Sequence, residues 1–279
     1  MMKPKIVIKL GGSALQNPET LLQLATLVKG YQKRRYNVVL VHGGGPAINE
    51  ELLSRGIKWQ FIDGQRQTTS EMMGAIEKVL AGDINSLLVD HLKQNKISAT
   101  GLSGAADKIL FCSKASLQLQ QVGKIEFVDT TAIEACFAKF GALVPVIAPI
   151  GLDKNGDKYN INADWAATQI AIAIQAKKLV FLTDQNGILD EKKQLVPKVS
   201  SDWINQRIED GIIHGGMSTK VKAMMLAVQS GIKYVRVMHA STASHLLLDD
   251  KIGTLLTAVR AKANPDIRTN SEALHGKAC

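Results

Sequence analysis

Cysteine is scarce in this chain, and its placement argues against a disulfide framework. Cys112, Cys136 and Cys279 form an odd, scattered set with no CxxC, so a reduced, cytoplasmic setting is expected. Aromatic residues make up only 5%, and no dense basic block is interleaved with them. Nucleic acid is therefore a poor fit as a partner, even with a net charge of +9. No apolar run reaches the roughly 18–20 residues of a bilayer span, so no membrane role is expected. The first apolar stretch is cut short by Lys9 and Gly11-Gly12, unlike a signal peptide.

Familiar nucleotide and metal signatures are missing too. No GxxxxGK[ST] occurs, no GxGxxG follows a strand, and the protein-kinase motif set is absent. The six histidines are scattered without HxH or HxxxH spacing, so no protein-built metal site is expected. No Ser/His or Cys/His pair stands out as nucleophile and base. His42, on the rim of a glycine run, reads as structural rather than as a base, and Trp59, Trp165 and Trp203 read as packing residues.

What is present is a repeated strand–glycine–helix layout. Ile6-Val7-Ile8-Lys9-Leu10 breaks into Gly11-Gly12-Ser13, and Val38-Val39-Leu40-Val41-His42 breaks into Gly43-Gly44-Gly45-Pro46. Gly215-Gly216-Met217 stands just ahead of Lys220. Glycine amides followed by a helix N-terminus suit an anion, and a lysine inside an apolar strand is costly unless it has a partner or a task. The pattern points to phosphoryl transfer.

The 279 residues suffice for one large unit or two smaller ones. Short Val/Ile/Leu runs predict strands at Lys5–Leu10, Asn37–Val41, Ile97–Thr100, Leu143–Ile147, Leu179–Thr183 and Tyr234–Met238. Their continuous apolarity suits a parallel sheet covered on both faces. Helical patterns fall at Pro18–Tyr31, Pro46–Arg55, Ser70–Gln94, Thr130–Phe140, Asp164–Ala176, Ser201–Glu209 and Thr219–Ser230. Ile109–Val128 reads as a hairpin projecting from the sheet, and Ala263–Cys279 as a polar tail. Asn160, Asn162 and Asp164 are placed to cap the helix beginning near Trp165.

Six motifs occur in order: Lys9-Leu10-Gly11-Gly12-Ser13, His42-Gly43-Gly44-Gly45-Pro46, Gly64-Gln65-Arg66, Asn160-Ile161-Asn162-Ala163-Asp164, Leu182-Thr183-Asp184 with Gly187-Ile188-Leu189, and Gly215-Gly216-Met217 with Lys220. Together they resemble the amino-acid kinase family, from about Lys5 to Leu256. The resemblance implies a three-layer α/β/α sandwich around a mainly parallel sheet. It implies an amino-acid-binding half over 1–176 that also carries a dimer surface, a nucleotide-binding half over 177–262, and a tail over 263–279. The implied reaction moves the ATP γ-phosphoryl group to the γ-carboxylate of N-acetyl-L-glutamate, with Mg²⁺, in arginine biosynthesis. A longer aminoadipate-type acceptor and a non-catalytic amino-acid sensor remain as alternatives.

By the same resemblance Lys9 and Lys220 stabilise the transferring group and Asp164 orients both. Gly11 and Gly12 bind phosphate. Gly43, Gly44, Gly45, Arg66 and Asn160 bind the acceptor, Arg66 through its α-carboxylate. Thr183, Asp184, Gly187, Ile188 and Leu189 serve the nucleotide, as do Ile212, Ile213, His214, Gly216 and Met217. Where the family pattern reads Gly-Leu-Arg-Val-Thr, this chain has Gly64-Gln65-Arg66-Gln67-Thr68, and polar Gln65 and Gln67 alter the pocket wall. Relatives often have a further glycine after the aspartate of Gly104-Ala105-Ala106-Asp107-Lys108, so Asp107 is given no site role. Arginine-sensitive relatives carry an extra N-terminal helix, and its absence before Lys5 suggests an arginine-insensitive homodimer. The helix Ser70–Gln94, with Met72, Met73, Ile76, Val79 and Leu80 at helical spacing, either forms the dimer face or packs on the sheet. A reactive acyl phosphate product calls for closure over the site.

Overall fold

A computed structural model describes residues 3–139, 143–249 and 251–257. Phe140 and the expected tail lie outside them. Strand β1 (Lys5–Leu10) has five of its six residues fully buried, because both faces of the strand are covered. It pairs in parallel with β2 (Asn37–His42) on one side and β11 (Lys178–Thr183) on the other, with Leu10 opposite both His42 and Leu182.

Side chains alternate across a strand, and the alternation decides what Lys9 can reach. Ile6, Ile8 and Leu10 face one apolar layer, which includes helix α1 (Pro18–Lys33) and the helical run beginning with α3 (Ser70–Glu77). Val7 faces the other layer, with α6 (Ala163–Ala173) and α8 (Gly215–Gln229). Lys9 shares the Val7 side, so it points toward α6 and α8.

The main sheet has eight strands in the order β12 (Lys198–Ser200), β14 (Thr254–Thr257), β13 (Tyr234–His239), β11, β1, β2, β8 (Val144–Ala148) and β5 (Ala99–Ser103). All its pairings are parallel except β13 with β14. Helices cover both faces, giving the expected α/β/α sandwich. From β1 the chain runs first to β2 and returns later to β11. The C-terminal end of β1 is thus a switch point, where open α/β sheets bind ligands.

Several expectations need correction. The Ile109–Val128 segment does form an antiparallel pair, β6 (Leu110–Lys114) with β7 (Gly123–Val128). It is no projection from the main sheet, however. With β9 (Ile150–Leu152) and β10 (Lys158–Asn160) it builds a separate four-stranded sheet. A two-stranded ribbon, β3 (Phe61–Ile62) with β4 (Gln65–Arg66), was too short to register as a period. The helical run from Ser70 widens into a π-helix over Lys78–Ile84 before α4 (Asn85–Gln94). Helix α8 begins at Gly215 rather than Thr219, since glycines in a first turn interrupt no intrahelical hydrogen bond.

Met72, Met73, Ile76, Val79 and Leu80 are all buried within this one chain, in the layer that covers the sheet. Their spacing therefore serves packing within the chain. Among the described residues no helix is long and apolar enough to cross a membrane.

Candidate active site

Asn162 starts α6. Its side-chain oxygen accepts from the amides of Asp164 (2.9 Å) and Trp165 (3.4 Å). Capping thus falls to Asn162 alone, and the other two polar residues of the motif are free for different work. Asn160, at the end of β10, donates through Nδ2 to Thr68 Oγ1 at 3.0 Å. Asp164, in the first turn of α6, meets the two lysines.

Asp164 Oδ1 lies 2.8 Å from Lys9 Nζ. Lys220 Nζ donates to Asp164 Oδ1 (3.1 Å) and Oδ2 (2.9 Å). Each of the three residues is less than a tenth exposed, so water screens these charges little. Burial pulls the Lys9 ammonium down to about 8; Asp164 opposes this and Lys220 adds to it. Burial alone would raise the Asp164 carboxyl, but Lys220 and Lys9 outweigh it and hold the group well below the usual carboxylate range. Two cations around one anion leave a net positive charge fixed in a dry place. That arrangement suits charge developing on a phosphoryl group.

Backbone donors surround Lys9. Gly12 lies so close to the second glycine run that a Cβ there would sit 2.7 Å from Gly45 N and 2.9 Å from Gly44 N. The amides of Gly12, Gly44 and Gly45 have no acceptor among the described residues. Gly11 differs from its expected neighbours. Its amide donates to Leu182 O at 2.8 Å, joining β1 to β11, and it lines neither cavity of the site.

The smaller cavity, about 200 Å³, is lined by Lys9, Gly12, Gly43, Gly44, Gly45, Arg66, Asn160 and Asp164 among others. Arg66 is buried. Its Nη2 donates to Asn49 Oδ1 and to Gly45 O, and its guanidinium lies over the rings of Phe61 (4.8 Å) and Trp59 (5.6 Å). Nη1 is buried with no hydrogen-bond partner among the described residues. Burial lowers this guanidinium to about 10, still cationic at neutral pH. Trp59, expected only to pack, thus shapes a charged group at the site.

The larger cavity, about 540 Å³, gathers the second set. From the loop after β11 come Thr183, Asp184, Gly187, Ile188 and Leu189. From the approach to α8 and its first turns come Ile212, Ile213, His214, Gly216, Met217 and Lys220. Asp164 and Gly64 border both cavities. Sequence reasoning missed Asn49, which looks like an ordinary surface polar residue of helix α2 (Gly45–Ser54). It also missed Gly64 as a shared wall, since only the ribbon reveals it. Asp107 accepts from the Ser103 amide at 2.7 Å, a local turn contact.

The sequence profile of the Amino acid kinase family matches residues 4–239. Acetylglutamate kinase of Methylobacillus flagellatus is 37% identical, with 91% of this chain and 90% of the relative covered. Acetylglutamate kinase of Aquifex aeolicus is 36% identical, with 90% and 91% covered. A crystal structure of a Streptococcus mutans protein superposes with a TM-score of 0.80 at 28% identity, covering 91% of this chain and 99% of that one. A profile match that takes in both cavities and every strand from β1 to β13, with relatives at this identity, makes the chain a member of the amino acid kinase family of ATP-dependent phosphotransferases.

Proposed function

We propose that this chain phosphorylates the γ-carboxylate of N-acetyl-L-glutamate with ATP, yielding N-acetyl-L-glutamyl 5-phosphate and ADP, a step of arginine biosynthesis. The observation that carries the reading is the place of Asp164 and its two lysines. They stand where a small cavity, with a buried arginine nitrogen lacking a partner, meets a larger one. The names of the curated relatives support the choice of acceptor.

In this reading the acceptor's α-carboxylate takes the Arg66 fork, whose planar donors match a carboxylate, and Asn160 helps hold it. The γ-carboxylate then faces Lys9 and the amides of Gly12, Gly44 and Gly45. ATP occupies the larger cavity, with its phosphates at the first turn of α8 and at Lys220. A γ-carboxylate is already ionised at neutral pH, with a pKa near ~4.3. One of its oxygens forms a bond to the γ-phosphorus as the bond to the ADP oxygen breaks, and no proton moves. Catalysis is then alignment of two anions and neutralisation of charge on the group in flight. Lys9 serves the acceptor side, Lys220 the nucleotide side, and Asp164 keeps both charged and in place.

Among the described residues no three His, Cys, Asp or Glu side chains gather for a metal. This fits Mg²⁺ carried mainly by nucleotide phosphates and water, with Asp184 the carboxylate at hand in that cavity. When bound, Mg²⁺ supplies neutralisation of phosphate charge. The reading extends to a homodimer, which light scattering at several concentrations checks. The decisive assay is ATP consumption with N-acetylglutamate, N-acetylaminoadipate, aspartate, glutamate, carbamate and UMP. N-acetylglutamate should turn over with the highest kcat/KM, and preference for another acceptor overturns the reading.

A further inference from the structure

His42 is fully buried at the end of β2, and a buried imidazole needs partners for two different nitrogens. Nδ1 lies 3.0 Å from the carbonyl oxygen of Gly43. A carbonyl can only accept, so Nδ1 carries the proton. Nε2 lies 3.2 Å from Asn85 Nδ2. That same amide nitrogen lies 2.9 Å from Val146 O and 3.4 Å from Leu102 O. Facing two carbonyls, it has to be the NH₂ end, so Nε2 has to accept. Two independent neighbours thus demand one and the same tautomer.

The Gly43 carbonyl and the Gly44 amide belong to one planar peptide and point in opposite directions. Fixing the carbonyl on the His42 ring fixes the opposite aim of the Gly44 N–H. Gly44 N is the atom that would lie 2.9 Å from a Cβ on Gly12, on the side of the cavity with Lys9. Between glycines a peptide can turn over at little steric cost, so something has to hold it. A turned peptide would aim a carbonyl, not a donor, at the phosphoryl path.

We propose that His42 is a positioning residue that holds the Gly43–Gly44 peptide with its amide toward the transferring phosphoryl group, and that Asn85 sets the tautomer that lets it do so. This rests on the reading of the Gly44 amide given above. The π-helix of Lys78–Ile84 is the device that delivers the second partner. Asn85 is the next residue after it. Leu80 and Ile84, from the same stretch, lie where a Cβ on Gly44 would be 2.6 Å from each, so one wide turn packs the glycine and supplies the amide. The Asn85 oxygen in turn lies over Gly101, where an added Cβ would be 2.0 Å away. Burial pulls the His42 imidazole down to about 4, so the ring stays neutral through the physiological range.

The test reads both the tautomer and the rate. In protein labelled with ¹⁵N in its histidine rings, His42 should show a protonated Nδ1 and a bare Nε2, unchanged between about pH 5.5 and 8.5. His42→Leu should lower kcat by about 10²-fold, as the loss of an aligned donor does, while KM for ATP and acceptor stay within about threefold. His42→Asn keeps a donor near the Nδ1 position and should recover most of kcat. A protonated Nε2, a charged ring, or a His42→Leu protein with near-normal kcat overturns the inference. Should His42→Leu fail to fold, Asn85→Ala decides. It leaves the ring in place, and loss of neither the single tautomer nor kcat sinks the idea. The nitrogen shifts are read without substrate, and kcat with whichever acceptor proves active. Failure of the acceptor assignment is therefore distinguishable from failure of this one.

Discussion

Gly64, at the tip of the β3–β4 ribbon, lies against Gly215, the first residue of α8. A Cβ on Gly64 would be 3.2 Å from both the carbonyl carbon and the oxygen of Gly215. The ribbon that ends in Arg66 is thereby seated, backbone against backbone, on the helix that carries Lys220, and Gly64 walls both cavities.

Substituting Gly64→Val tests whether this contact matters for turnover. Gly64 has φ +76, a left-handed conformation costing a branched residue roughly 1–2 kcal/mol, and the added methyls would push the ribbon off α8. We expect kcat to fall by at least ~10-fold with only a small change in melting temperature, because the ribbon is peripheral to the core. Unchanged kinetics would mean that closure does not use this contact.

Lys9→Ala and Lys220→Ala should each lower kcat by on the order of 10²-fold or more. Each leaves Asp164 with one lysine, so the fold should persist. Asp164→Ala leaves two buried cations without their anion and should cost about 3–5 kcal/mol of stability in addition to activity. Asp164→Asn removes the same charge but keeps an oxygen to accept from a lysine, so it should lower kcat as well and cost less stability than Asp164→Ala. Steady-state kinetics beside urea unfolding separates the two effects. A lysine variant with near-normal kcat removes that lysine from the mechanism.

Arg66→Ala should raise KM for the amino acid far more than KM for ATP. Asn49→Ala should shift the same constant in the same direction by less, since it removes one of the two acceptors of Nη2 and leaves Gly45 O. If Arg66→Ala weakens ATP alone, the two cavities have been assigned the wrong way round.

The pH dependence follows from Lys9. In the proposed mechanism its working form is the protonated one, and burial brings it down to about 8. In the free enzyme kcat/KM should therefore fall as pH rises through about 8. Asp164 titrates below the usual carboxylate range, so it adds no fall on the acid side until the acceptor itself protonates. In the complex, bound phosphate favours the charged lysine, and the limb in kcat should move to higher pH. A flat kcat/KM profile beyond pH ~10 would rule out this role for Lys9.

The doubly covered strands were legible because burial on both faces writes a continuous apolar run, as in Ile6–Leu10. The face that Lys9 occupies was not legible there, because a run apolar at nearly every position carries no alternation to tell one face from the other. The triad itself was not legible from spacing. Its members come from β1, α6 and α8, and only the resemblance joined them in advance. The π-helix was invisible because Met72, Met73, Ile76, Val79 and Leu80 satisfy a 3.6-residue period even though the last two already lie in the wide turn. Asn49 and Asn85 were invisible for another reason. A polar residue on a helix says nothing of its partner until the helix has been placed.

The unbroken ladder β2–β1–β11 has a thermodynamic meaning for the two cavities. They sit at the ends of strands bonded directly to one another, so neither can unfold while the other keeps its geometry. Calorimetry should show one cooperative transition. An ATP analogue should slow amide exchange in β2 as well as in β11.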